Sequence, residues 1–216
     1  MKKSILIILF LLFPFIVSGQ SYVAHYPSEP QSAVEAYWTP ERMANAKPLP
    51  LGRIGGEEAE GLDATITANG YDYPPPHTTY TWDSSKALSL YTQHPFKTMG
   101  KIFFTLPNGD DSECSGTSIG GRAILTAGHC ISDGKGRYFT NVMFVPAYSK
   151  QNPTGTYYSA PFGKWYAEQI WTFDEWLYNN NYCRDVAFVV MKKSGNMTLS
   201  QRVGSLGIAV NKSSVQ

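Results

Sequence analysis

The 216 residues can bury a sizeable core, since 43% of them are hydrophobic, and they are enough for one large domain or two small ones. Charge points nowhere in particular: the formal net is +1, and loss of Lys2 and Lys3 with a leader takes it to −1, so there is no electrostatic footprint for nucleic acid or an anionic membrane. Aromatics make up 14% of the chain and crowd the stretch from Tyr157 to Tyr182, which favours β-structure over a helical bundle.

In chain order, Lys2-Lys3, the apolar run Ile5 to Val17 and the small residues Ser18 and Gly19 read as a secretory signal peptide over residues 1–19. The run is too short to span a bilayer, where about 20 residues are needed, and Pro14 interrupts it. The expectation is a secreted, extracellular protein with no membrane attachment after cleavage. The sequons at Asn196 and Asn211 agree with export.

From residue 20 to 93 no strong period emerges, and Pro27, Pro30, Pro40, Pro48, Pro50 and Pro74-Pro75-Pro76 punctuate the stretch. It is expected to be an irregular or poorly ordered propeptide. Two short helices are predicted inside it: one over Gln31 to Tyr37, and one over Glu41 to Ala46, where Thr39 offers a cap and Pro40 suits the first turn. His25, His77 and His94 sit near prolines in polar surroundings and are read as solvated.

The texture changes near Met99. Short apolar strands are predicted over Ile102 to Leu106, Gly116 to Ile119, Ala123 to Thr126, Tyr138 to Val145, Tyr157-Tyr158, Phe162 to Ile170 and Val186 to Met191, with a turn at Pro107-Asn108-Gly109-Asp110. Asp174 to Asn179 could form a brief helical turn. Strands of this spacing argue for an all-β Greek-key barrel or sandwich.

Within this region Leu125-Thr126-Ala127-Gly128-His129-Cys130 places a histidine beside a cysteine, with Cys114 a candidate disulfide partner upstream. Such a crosslink would fix His129, and a base that takes a proton must be held still. Cys183 is left over. A zinc site from Cys114, His129, Cys130 and Cys183 is the competing account, but it lacks the Cys-x-x-Cys or His-x-x-x-His spacing of such sites.

Cys114-Ser115-Gly116-Thr117-Ser118-Ile119 followed by Ala123-Ile124-Leu125-Thr126-Ala127-Gly128-His129-Cys130 resembles the histidine box of trypsin-like, chymotrypsin-fold serine proteases. The flanks Gly100 to Thr105 and Phe144 to Tyr148 look closest to the secreted V8-like, glutamyl-endopeptidase-like branch. The resemblance covers roughly residues 91 to 192. It implies a chymotrypsin-like Greek-key barrel, the first of two, with the second only begun; residues 94–216 would be a peptidase domain incomplete at its C-terminus. It implies His129 as general base and then acid, and Asp185, opening Asp185-Val186-Ala187, as the carboxylate that orients it. Otherwise Asp185 would be a strand-edge residue paired with Arg184; Asp133 and Asp174 are weaker candidates for the role. The family's Gly-Asp-Ser-Gly-Gly segment has no match, and Ser115, Ser118, Ser194 and Ser205 lack its context, so the nucleophilic serine is expected beyond the chain end.

Arg53-Ile54-Gly55-Gly56 resembles a zymogen activation sequence but lies far upstream of the first strand. The leading reading is a secreted serine endopeptidase zymogen acting on protein or peptide substrates, inactive as this chain alone, with no cofactor, metal or nucleic acid. The alternative is a non-catalytic protease homologue that binds a partner.

Overall fold

In a computed structural model, residues 21–49, 90–149 and 159–208 are described. The N-terminal part forms β1 (Tyr22–His25), α1 (Gln31–Tyr37), α2 (Pro40–Asn45) and the two-residue strand β2 (Lys47–Pro48). After residue 90 come β3 (Met99–Thr105), β4 (Asp111–Gly120), β5 (Ala123–Thr126), β6 (Thr140–Pro146), β7 (Trp165–Phe173), α3 (Asp174–Asn179), β8 (Ala187–Met191) and α4 (Leu199–Val203). Six strands close on themselves in the order β3-β4-β5-β8-β7-β6 and back to β3, every neighbouring pair antiparallel. Closure leaves these six strands no continuous open edge to pair with another chain. The chain is mostly β, as expected.

Strand alternation explains the core. On β6, Val142 and Phe144 point into the barrel beside Ile102, Phe104, Ile124 and Val189, while Met143 and Val145 point outward. An outward face of a small barrel would ordinarily be polar. Here Phe103, Met143, Val145 and Tyr166 form an apolar outer face, and Val34, Trp38, Met43 and Ala46 from α1, α2 and their flanks cover it. Trp38 and Met43 are fully buried, and the Trp38 indole donates to the Asn141 carbonyl at 2.6 Å.

The expected irregularity of residues 20–93 therefore does not hold for residues 21–49. The two helices form where predicted, and the Thr39 hydroxyl caps α2 by accepting from the Arg42 amide. β1 pairs antiparallel with the end of β7, Tyr22 opposite Phe173 and His25 opposite Ile170. The prolines fit because Pro40 sits in the first turn of α2, Pro30 caps α1 and Pro48 lies in a strand of only two residues. Nor is His25 a solvated loop residue: its ring stacks on Tyr138 at 4.3 Å, and burial lowers its pKa against the opposing pull of Glu29. The expectations for Arg53 to Gly56, His77 and Tyr157-Tyr158 lie outside the described residues, as does the leader.

Strand limits move for local reasons. β4 starts at Asp111 rather than Gly116, because its polar first half pairs along the whole of β3 and the buried Glu113 carboxylate receives the Lys101 ammonium at 2.9 Å. β7 starts at Trp165 because Gly163, at φ +82°, turns the chain just before it.

Candidate active site

Two strand pairings bring the site together. β5 runs between β4 and β8, with Leu125 opposite Thr117 and Thr126 opposite Ala187. The segment that leaves β5 and the segment that enters β8 therefore lie side by side. Leaving β5, residues Gly128–Cys130 make one 3₁₀ turn, and a disulfide ties Cys130 to Cys114 on β4, with 5.9 Å between the Cα atoms. The Thr126 hydroxyl adds a bond to the Ser115 carbonyl at 2.9 Å. Entering β8, Tyr182–Arg184 make another 3₁₀ turn that delivers Asp185.

Asp185 holds His129 twice. Its Oδ2 lies 2.7 Å from His129 Nδ1, and its Oδ1 accepts the His129 backbone N–H at 2.7 Å. A carboxylate only accepts, so Nδ1 carries the proton and Nε2 is left as the basic nitrogen. Both side chains are largely shielded, at 16% and 14% exposure, which strengthens the pair relative to a surface contact. Arg184 does not compete: its guanidinium binds Glu175 at 2.8 Å.

Sequence reasoning missed Trp176. This residue of α3 is buried, donates from its indole to the Ser132 hydroxyl at 2.9 Å, and meets the His129 and Tyr182 rings edge-on at 6.4 Å and 5.4 Å. A Cβ built on Gly128 would fall 2.5 Å from Trp176 Cδ1, so only glycine lets the histidine turn sit this low. The available signal was a tryptophan followed by a leucine inside the predicted helical turn Asp174 to Asn179; both are buried, while the next residue, Tyr178, is exposed.

His129 opens on a cleft of about 490 Å³, walled mainly by Leu49, Leu106, Phe139, Trp176 and Tyr182, with Asn108 and Arg137 among its polar groups. Leu49 was not foreseen. The other carboxylates are engaged elsewhere. Partial burial works to raise the Asp133 carboxyl, but bonds from Arg137 and from the backbone N–H groups of Lys135 and Arg137 outweigh it and lower its pKa. Asp174 accepts from the Glu175 amide at the start of α3. Among the described serines, Ser118 is buried and donates to the Gly204 carbonyl, and none is bonded to the His129 ring.

Cys114, His129 and Cys130 do bring their potential ligand atoms within 4.8 Å of one another. Both sulfurs are joined to each other, which leaves the imidazole as the one available donor of the three. Cys183 is exposed and stands apart.

A family model described as Trypsin matches residues 91–216. The chain is similar to the protease Anisep from Arthrobacter nicotinovorans, with 40% identity, a TM-score of 0.49, and coverage of 54% of this chain and 51% of that one. It is similar to the thermostable serine protease AL20 from an extremophilic microorganism, with 34% identity, a TM-score of 0.48, and coverage of 54% and 53%. It is also similar to a Glu endopeptidase in complex with MPD, at 18% identity, a TM-score of 0.43, and coverage of 55% and 48%. The chain thus spans about half the length of the solved structures it matches. No curated protein matches it.

Proposed function

The chain belongs to the trypsin family, and on that premise we propose that it is the base-bearing part of a serine endopeptidase, in which His129 takes the proton of a serine and Asp185 orients it. What carries this reading is the double hold of Asp185 on His129, at 2.7 Å to the ring and 2.7 Å to the backbone. A carboxylate bonded to Nδ1 fixes the tautomer and stabilises the imidazolium that forms when Nε2 gains a proton. The proton then passes to the leaving amine, so the base returns to its starting state.

The nucleophile in this reading is a serine beyond Gln216, in keeping with the lack of a Gly-Asp-Ser-Gly segment after Asp185. Backbone donors near that serine would supply the oxyanion hole. We further propose residues 94–216 as the peptidase domain, residues 20–93 as a propeptide that is cut during maturation, and residues 1–19 as a leader. Secretion is supported by the disulfide, which persists in oxidising compartments. Among the described residues no helix is long and apolar enough to cross a membrane. Placement in the V8-like branch rests on the flanks of the two cysteines alone.

The test is a fluorophosphonate probe, which phosphonylates a serine only when a base activates it. The polypeptide that carries the serine is expected to be labelled and its His129→Ala variant to lose labelling. Unchanged labelling of that variant would remove the histidine from the chemistry, and an unlabelled parent polypeptide would favour the partner-binding homologue.

A further inference from the structure

Residues 21–49 are built into the barrel, and we propose that they stay bound to it after the chain is cut anywhere between residues 50 and 89, so that the mature protein keeps this segment as a non-covalent subunit and Leu49 as a wall of the cleft. The proposal rests on the reading of residues 94–216 as a peptidase domain only for its biological meaning; retention itself is a matter of packing.

Three independent attachments hold the segment. Its first strand, β1, completes the hydrogen bonding along the end of β7, where the Tyr22 ring packs tilted against Phe173 at 4.7 Å and the His25 ring stacks on Tyr138 at 4.3 Å. Its helices fill the apolar outer face of the barrel: Trp38 is fully enclosed, gives its indole proton to the Asn141 carbonyl at 2.6 Å, and receives the Lys164 ammonium on its own carbonyl at 2.8 Å. Its tail is fixed to β4, with Lys47 and Pro48 paired alongside Ser112 and Glu113 and the Leu49 amide donating to the Glu113 carbonyl at 3.1 Å, while the helices add bonds to Asp111 of the same strand from the Tyr37 hydroxyl at 2.7 Å and from Arg42 at 2.8 Å.

Release would return Phe103, Met143, Val145 and Tyr166 to water as one contiguous apolar patch, and would strip the donor from the Asn141 carbonyl. A disposable inhibitor occupies a site that the mature enzyme must vacate. This segment instead fills a face that the barrel needs covered, and at the cleft it contributes only the side of Leu49, leaving His129 open to the same cleft. Cutting in 50–89 breaks a peptide bond without disturbing any of these contacts. A cut after Arg53, in the activation-like sequence, would leave Leu49 just inside the new C-terminus.

The experiment takes the full chain with a recognition sequence for a site-specific endoprotease inserted between Gly61 and Leu62, cut to completion as read on a denaturing gel. Native size exclusion at micromolar concentration is expected to return both fragments in one peak in equal amounts. Elution of the short fragment on its own would overturn the proposal. In the cut protein, Trp38→Ala is expected to lower the urea concentration at which the fragment leaves; an unchanged release point would overturn the role given to the tryptophan socket. No substrate enters either measurement, so an inactive protein leaves this result standing, and a released fragment leaves the catalytic reading standing.

Discussion

Gly128→Ala isolates the packing that seats the candidate base. The added Cβ would lie 2.5 Å from Trp176 Cδ1 and 2.7 Å from both Cγ and Nε1 of the same ring, far inside van der Waals contact. Neither side yields easily: Trp176 is 2% exposed and hydrogen-bonded to Ser132, while the 128–130 turn is tied by the disulfide and by Asp185. Overpacking of this kind costs about 1–3 kcal/mol. At roughly 2–4 °C per kcal/mol for a domain of this size, the thermal midpoint should fall by about 2–12 °C. Gly128 does not have a positive φ, so alanine meets no backbone penalty there and the loss is steric. The assay is thermal unfolding followed by near-ultraviolet circular dichroism, which also reports the Trp176 environment. A double-mutant cycle separates the cause: in a Trp176→Ala background the same alanine should change stability by less than about 0.5 kcal/mol. An equal loss in both backgrounds, or no loss in either, would refute the reasoning.

Joint replacement of Cys114 and Cys130 by alanine should cost about 3 kcal/mol from the closed loop between them, measured by urea unfolding. His25 carries a folded-state pKa below 6.5, so below that pH the unfolded chain binds the proton more readily. Its contribution is intact above pH 6.5 and is lost as pH falls from 6.5 through the folded value; in His25→Gln, unfolding midpoints taken from pH 7 down to pH 5 should fall less steeply.

What could be read in the sequence was local. Ala123–Thr126 emerges as a strand because a short apolar run after the Gly120-Gly121 turn needs no partner to be seen, and α2 begins where Thr39-Pro40 says a helix should. The docking of residues 21–49 was hidden because the partners of Trp38 lie at Phe103, Asn141 and Lys164, far along the chain, and because an apolar outer strand face looks in sequence like more barrel core. Proline density was misleading for the same reason: it records the absence of long elements, not the absence of packing. His129 and Asp185 were singled out through a resemblance and not through periodicity, and their juxtaposition depends on β5 lying beside β8, a pairing between distant segments. Leu49 reaches the same cleft through the pairing of β2 with β4, again between distant segments, and Trp176 through α3, the predicted helical turn.

The most direct measurement is the turnover of Asp185→Asn in the polypeptide that carries the nucleophile. Asparagine keeps the shape but can present an N–H to His129 Nδ1, favouring the wrong tautomer, so kcat for peptide hydrolysis should fall by on the order of 10⁴ with KM little changed. A variant that turns over at the rate of the unmodified protein would contradict the account.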